Sequence, residues 1–467
     1  MAKTFEIAVL GGGPGGYVAA IRASQLGFKT LVIDKDNLGG ICLNWGCIPT
    51  KALLKSAEYF DLIKNHSNDY GIKVENPTFD FDKIIKRSRD ISERISKNVE
   101  LLIKKNKVER IRGFGKLVSK NKIEIYNDKN EKIDEIISDK IIISTGASPK
   151  SFPNIPIDGK KIITSKDAMV LNKVPKDLII IGGGAIGVEF AYFYSVLGSK
   201  VTIIEMLDNI LPIEDKEISE TLEKSFKKRG INIFTKTKVV NAKVENDIVK
   251  VLIEIDGKLT ELTAEICLSA IGVTGNIENI GLENLGIEIE KGHIKVDKSN
   301  YQTNVSNIYA IGDVIGPPWL AHVASAEGIT CVEKIKVLHV EPINYNSIPG
   351  CTYCNPQVAS VGLTETKAKE LGYEIKIGKF PFMASGKAFA VGERDGFVKI
   401  IFDSKYGEIL GAHIIGQDAT ELISEIAIAK SLEATYESIV KTVHAHPTLS
   451  ESIMEAAANA YGESIHI

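Results

Sequence analysis

FEIAVLGGGPGG (residues 5–16) and DLIIIGGGAIGV (177–188) decide the fold. Each is an apolar, strand-like run that ends in glycines and opens a segment of helical spacing. Gly11, Gly13 and Gly16 reappear as Gly182, Gly184 and Gly187, each 171 positions later. The offset persists: Leu26-Gly27 matches Leu197-Gly198, Ile33 matches Ile204, and the acidic Asp34 matches Glu205. A lone GxGxxG says little. Two copies, each followed by a second strand ending in an acid, predict two Rossmann-like dinucleotide-binding domains in an α/β chain. The glycines permit a tight turn and let backbone N–H groups approach a pyrophosphate, which the N-terminus of the following helix stabilises. The acid is placed to accept hydrogen bonds from a ribose diol, so two dinucleotides are expected.

The 467 residues suggest about three domains at ~100–200 residues each. With 57 Lys and Arg against 60 Asp and Glu, the net charge is -3, which argues against a nucleic-acid binder. Hydrophobic residues at 44% and charged residues at 25% fit an ordinary globular chain and not a disordered one. No apolar run approaches the ~18 residues needed to cross a bilayer. The opening MAKTFEIAVLGGG makes a poor signal peptide, so a cytoplasmic location is expected. Six cysteines are too few for a secreted disulfide scaffold.

After the first unit, PTKALLKSAEYFDLIK reads as a helix with Pro49 in its first turn. FDKIIKRSRDISERISKNVELLIKKNK has helical apolar spacing at Ile84, Ile91, Ile95 and Leu102, with its charges on a solvated face. The run from KIEIYN to IIISTGASPK reads as strands, as do short stretches from Val239 to Ile271 and NIYAIGDV over 307–314. HVEPINYNSIPG is a linker candidate, and KIIFD, ILGAHII, ATELISEIAIAKSL and SESIMEAAANAYG beyond it make a separate α+β domain.

Cys42 and Cys47 lie in GGICLNWGCIPTKALL. Such a pair can be a redox disulfide, half of a metal site, or two packed thiols. A zinc site would need two further ligands at matching spacing, and none occurs before His66. A helix starting near Pro49 would favour a thiolate at Cys47. No metal site is expected.

Paired dinucleotide units, CxxxxC after the first, and HAHPTLSE near the C-terminus together resemble the pyridine nucleotide-disulfide oxidoreductase family, over essentially the whole chain. The resemblance implies an FAD domain in two parts (1–147 and 273–342), an NAD domain (148–272) and a C-terminal interface domain (343–467) that forms a homodimer. It also implies the function: oxidation of a protein-bound dithiol, dihydrolipoamide, through a redox-active disulfide, with reduction of NAD+. The lipoyl group is expected to arrive on a carrier protein or the acyltransferase core of a multienzyme complex.

Carried over position by position, Cys47 resembles the flavin-facing thiol and Cys42 the thiol that exchanges with substrate. His446 matches the base and Glu451 the carboxylate that orients it. FAD is expected on Gly11, Gly13, Gly16, Asp34, Lys51, Gly115, Thr145, Gly146, Asp313 and Ala321. NAD is expected on Gly182, Gly184, Gly187, Glu189, Glu205 and Gly272, with Glu189 also pairing with Lys51. Ser144 to Gly146 resemble the chain crossing between the nucleotide domains.

His444 and His322 are taken as structural, His322 as a packed, partly buried side chain, and Cys267 and Cys331 as core residues. The chain departs from the family pattern at Ile41, Trp45 and Val273 and carries an unusual CxxC at Cys351 and Cys354. Competing readings are a reductase of another small disulfide and a non-catalytic redox-sensing or scaffold flavoprotein. The tail GESIHI lacks the cysteine pair expected of a mercuric-ion reductase or a large thioredoxin reductase.

Overall fold

The structure, a computed structural model, describes residues 3–467. The chain divides into two compact units. The first comprises the segment ending at Ala52, Lys83–Lys150 and Gly272–Ile343; the second comprises Leu53–Asp82, Ser151–Ile271 and Asn344–Ile467. Among the described residues no helix is long and apolar enough to cross a membrane.

The first unit is built on a seven-stranded sheet. Its elements begin with β1 (Lys3–Leu10), α1 (Pro14–Gln25), β2 (Thr30–Asp34), α2 (Gly40–Trp45), the start of α3 (Cys47–Asp61, assigned to the second unit from Leu53) and α4 (Phe81–Lys105, assigned to the first from Lys83). They continue with β3 (Glu109–Arg112), β4 (Phe114–Ser119), β5 (Lys122–Tyr126) and β6 (Lys132–Ile143). The strand order is β3-β2-β1-β6-β5-β4, with Ile308–Ala310 paired to β6. β1 runs parallel to both β2 and β6, so the order reverses beside the Gly11 turn, where open α/β sheets bind ligands. Ala8 and Leu10 enter the core on one face and Ile7 and Val9 that on the other, which explains an uninterrupted apolar run.

Two expectations for this unit need correction. NIYAIGDV is not one strand over 307–314: pairing stops at Ala310, and Gly312, at φ 73°, starts a 3₁₀ turn through Ile315. α4 forms as expected but turns a different face inward. Ile84, Ile91 and Ile95 are only half-buried and Leu102 is exposed, whereas Ser88, Ser92, Ser96, Val99 and Ile103 are buried. Small side chains with hydroxyl donors suit that face because it meets backbone carbonyls of α2 and α3 as well as apolar groups.

The second unit contains a five-stranded parallel sheet of Asn232–Phe234, Lys200–Ile204, Asp177–Ile181, Ile266–Ser269 and Ile162–Ile163, in that order. A three-stranded antiparallel meander covers Lys238–Ala264. The C-terminal part is a five-stranded antiparallel sheet packed against helices Ala419–Ser431 and Glu451–Asn459. Every residue of its strand Phe397–Asp403 is buried, including Lys399. A buried ammonium requires partners. Lys399 Nζ has three: Asp215 at 2.9 Å, Glu217 at 3.0 Å and Glu365 at 2.7 Å. The two Rossmann-like folds and the α+β C-terminal part agree with the architecture expected from sequence.

Candidate active site

The internal repeat extends to single atoms. Gly11 N donates to Ile33 O at 2.8 Å, and Gly182 N donates to Ile204 O at 2.8 Å. Gly12 N donates to Asp34, and Gly183 N donates to Glu205 Oε2 at 2.7 Å. Gly11 and Gly182 have φ of 101° and 105°, and a Cβ on either would lie 2.2–2.4 Å from the carbonyl oxygen of Ser144 or Ala270. A Cβ on Gly16 or Gly187 would meet the preceding turn at 1.9 or 2.0 Å, so each helix can start only where glycine stands.

Both helix mouths fit a dinucleotide pyrophosphate. α1 and the helix Ala185–Val196 have no side-chain N-cap and no acid in the first turn. The space over them is open: a Cβ on Gly184 would touch nothing within 4 Å, and one on Gly13 only Gly40 Cα at 3.8 Å. Helix N-termini without caps leave backbone donors for an anion. Asp34 and Glu205 close the two second strands, and burial raises the Asp34 carboxyl against the pull of the Asp36 and Gly12 amides. Glu205 is buried, and its Oε1 accepts from Leu207 N at 2.8 Å.

Other expected FAD positions fall on the same unit. Gly115 sits in β4, where a Cβ would come within 2.5 Å of Leu10 Cδ2. At the chain crossing, Thr145 Oγ1 donates to Asn276 O at 2.8 Å, Asn276 Nδ2 donates back to Thr145 O at 2.8 Å, and Asn276 N donates to Gly146 O at 2.9 Å. Ser144 Oγ reaches Gly11 O at 2.8 Å, which ties the crossing to the glycine turn. Gly272, expected on the NAD side, falls in this first unit; at φ 101° its carbonyl accepts from Lys150 N at 3.0 Å. Asp313 lies in the 3₁₀ turn, with its carboxyl pushed up to about 6 by burial. Ala321 is the first residue of the helix Ala321–Ile335. Sequence reasoning misses both Asn276, which no local pattern marks, and the hydroxyl face of α4, whose serines recur every four residues but carry no hydropathy signal.

Cys42 lies in α2 and Cys47 opens α3, with Gly46 breaking the chain between them. Both are thiols here. Their shared hydrogen bond, then burial, then the charge of Cys47 push the Cys42 thiol well up, while Lys51 opposes the shift. Cys47 stands at the N-terminus of a 15-residue helix, whose dipole favours a thiolate there.

In the second unit, His446 and Glu451 pair as expected: Nδ1 lies 2.8 Å from Glu451 Oε1. The carboxylate accepts, so Nδ1 donates and Nε2 is the nitrogen turned away from Glu451. Glu451 Oε2 accepts from Thr448 N at 2.8 Å. Although burial opposes it, the Thr448 amide and His446 hold the Glu451 carboxyl below the usual range. The His446 side chain is 79% exposed, so a second subunit can reach it.

His444 is buried between Thr442 O at 2.9 Å and Glu425 Oε1 at 2.8 Å, a structural role. His322 is exposed and not packed as expected, because it stands in the first turn of its helix on the outward side. Glu189 is buried, and its Oε1 accepts from Tyr353 N at 2.9 Å. Tyr353 lies between Cys351 and Cys354, so the unusual CxxC forms the turn that holds Glu189. Among the described residues no cluster of His, Cys, Asp or Glu could hold a metal ion. Cys267 and Cys331 are fully buried core residues.

A glycine-crowned mouth on each of two nucleotide folds, with a dithiol following one of them, defines a flavin- and nicotinamide-dependent disulfide oxidoreductase. Residues 5–328 match the family model for pyridine nucleotide-disulphide oxidoreductases, and residues 348–457 match that family's dimerisation domain. The chain belongs to this family, which uses FAD and NAD, and it assembles as a homodimer. It is 48% identical to the dihydrolipoyl dehydrogenase of Rhizobium etli, with 100% of each chain covered. The dihydrolipoyl dehydrogenase of Bacillus subtilis is 45% identical, again over 100% of both. The crystal structure of LpdA from Mycobacterium tuberculosis superposes with a TM-score of 0.90 at 28% identity, covering 98% of this chain and 99% of that one.

Proposed function

We propose that the chain is a dihydrolipoyl dehydrogenase: it oxidises protein-bound dihydrolipoamide to lipoamide and reduces NAD+ to NADH. The observation that carries this reading is the hydrogen-bonded Cys42–Cys47 couple, with Cys47 opening a 15-residue helix directly after the first nucleotide turn. Full-length identity to dihydrolipoyl dehydrogenases supports the choice of substrate.

A thiol of ordinary pKa ~8.5 keeps its proton at neutral pH, and an imidazole of ordinary pKa ~6.5 can take it. His446 Nε2, its lone pair directed by the Nδ1–Glu451 bond, accepts the proton of the first substrate thiol. The resulting thiolate attacks Cys42 Sγ; the Cys42–Cys47 bond breaks and Cys47 leaves as a thiolate. The second substrate sulfur then attacks the mixed disulfide. Lipoamide departs, Cys42 takes up a proton, and two electrons have passed from substrate to the couple. FAD, when bound, supplies the two-electron relay that carries these electrons to NAD+.

Gly11, Gly13, Gly16, Asp34, Gly115, Thr145, Gly146, Asp313 and Ala321 would hold FAD, with Lys51 near its reactive ring. Gly182, Gly184, Gly187, Glu205 and Gly272 would hold NAD. On this reading 148–272 is the NAD domain and 343–467 the interface domain, and His446 serves the cysteine couple of the second subunit. The lipoyl group arrives on a carrier protein, and the site of action is cytoplasmic.

The test is steady-state turnover of dihydrolipoamide beside other dithiols and disulfides, with NAD and NADP. Fast NAD-dependent oxidation of dihydrolipoamide supports the proposal. Preference for another disulfide, or no turnover at all, replaces it with a different reductase or with a scaffold.

A further inference from the structure

We infer that Ser88, Ser92 and Ser96 of α4, with Arg87 beside them, are positioning residues that fasten the backbone around the Cys42–Cys47 couple; the inference rests on the disulfide reading above. The three serines are spaced four apart, and all are buried. Serine inside a helix usually bonds back to its own turn, yet these hydroxyls donate outward. Ser96 Oγ donates to Leu38 O at 2.7 Å, Ser92 Oγ to Leu43 O, and Ser88 Oγ to Pro49 O at 3.0 Å. Arg87 Nη1 extends the row to Ala52 O at 2.8 Å. The four carbonyls bracket both cysteines: Leu38 precedes Cys42, Leu43 follows it directly, and Pro49 and Ala52 follow Cys47.

The Leu43 carbonyl needs an outside donor for a reason set by sequence. α2 has six residues, so its last four carbonyls, Leu43 included, have no partner within the helix. Asn44 fastens the other end, donating to Leu38 O at 3.1 Å and Gly40 O at 3.0 Å. The Arg89 guanidinium lies over the Trp45 ring at 4.0 Å and closes the same seam.

Reducing the couple breaks one S–S bond and adds two electrons and one proton to it, both from the substrate dithiol, whose other proton goes to His446. Bonded sulfurs sit ~2 Å apart, so the sulfurs must separate in every cycle. With the flanking carbonyls fastened, that motion falls on the cysteine side-chain torsions and not on the backbone. Cys47 then keeps one orientation in both redox states, and the couple keeps a spacing that favours closing the disulfide.

The experiment uses the holoenzyme and the variants Ser92→Ala, Ser88→Ala and Ser96→Ala. Three quantities are measured: the disulfide–dithiol equilibrium against a dithiothreitol redox buffer, the long-wavelength charge-transfer band after two-electron reduction, and NADH oxidation by an artificial acceptor that bypasses the thiols. Ser92→Ala should shift the equilibrium roughly three- to tenfold toward the dithiol, tenfold being ~30 mV for two electrons. Its charge-transfer band should weaken, while the bypass reaction stays within about twofold. Ser88→Ala should act in the same direction and stands in if Ser92→Ala does not fold. An unmoved equilibrium and band would overturn the inference, as would equal loss in all three readouts, which marks a general structural role. Cys47→Ser separates the two levels: if that variant keeps the band, the disulfide reading itself fails, whatever the serines do.

Discussion

On the proposed NAD site, replacing NAD+ by NADP+ should place a phosphate dianion beside the Glu205 carboxylate. Glu205 is 8% exposed, and its two oxygens accept from Gly183 N at 2.7 Å and Leu207 N at 2.8 Å, so the carboxylate cannot swing away. Two like charges ~4 Å apart repel by about 1 kcal/mol in water and about 4 kcal/mol at an effective dielectric of ~20. Burial puts Glu205 toward the larger figure. At 1.36 kcal/mol per tenfold, kcat/KM should favour NAD+ by roughly 10²- to 10³-fold. Lys236 is a cation near in space that the linear sequence conceals, but it is 70% exposed and faces Asp208 at 3.7 Å, so its offset is small. Glu205→Gln removes the charge and turns an NH2 group toward one of the two backbone donors. Discrimination should fall tenfold or more. The loss of one charge-assisted bond, about 1.5–3 kcal/mol, should lower Tm by several degrees, at ~2–4 °C per kcal/mol for a domain of this size. The assay is steady-state kcat/KM with both cofactors. Equal efficiency with NADP+ in the natural protein, or undiminished discrimination in Glu205→Gln, would refute the reasoning.

Cys47→Ser should abolish the charge-transfer band, whereas Cys42→Ser should retain it and still lose dihydrolipoamide turnover; absorbance and initial rates decide both. His446→Gln should slow thiol-dependent turnover by roughly 10²- to 10⁴-fold and leave the bypass reaction nearly intact, and equal loss in both assays would withdraw the assignment. Glu451→Gln should lose less than His446→Gln. The depressed Glu451 pKa means that its pairing with His446 is present above the ordinary carboxylate value of 4.5 and disappears only as pH falls through the lower folded value, so assays near neutrality see the intact pair. Glu214 is the opposite case: burial pushes its carboxyl up from 4.5 to about 7, and Oε2 has no hydrogen-bond partner. The folded state then binds more protons than the unfolded one between those values, so stability falls as pH rises. Glu214→Gln should remove about 3 kcal/mol of that dependence, measured as the difference in unfolding free energy between pH 4.5 and 8.

The glycines and the acids at 34 and 205 declare themselves in sequence because their roles are backbone roles: φ above zero, room for no Cβ, one amide to one carboxylate. The Cys42–Cys47 spacing and HAHPTLSE are similarly local, and His446 and Glu451 lie within hydrogen-bond distance. What sequence hides is determined by partners far along the chain. α4 shows four apolar residues at helical spacing, yet the buried face carries serines, because it meets unsatisfied carbonyls that hydropathy does not register. Asn276 locks the Thr145–Gly146 crossing across about 130 residues, a contact no local pattern encodes. His322 reads as a packed, partly buried side chain only if the first turn of its helix is assumed covered, and it is exposed.

The Lys399 cluster bears on how this protein could be recombined. Asp215 and Glu217 belong to the nucleotide-binding part of the second unit, whereas Lys399 and Glu365 belong to its C-terminal part, and the lysine is 1% exposed among them. A dinucleotide domain is often handled as a portable cassette. Here a crossover between residues 271 and 344 that imported a foreign domain lacking Asp215 would enclose a cation missing one of its counter-ions, at a cost of about 3–5 kcal/mol. Chimeras that alter cofactor preference should therefore carry residues 215, 217, 365 and 399 as one inherited block.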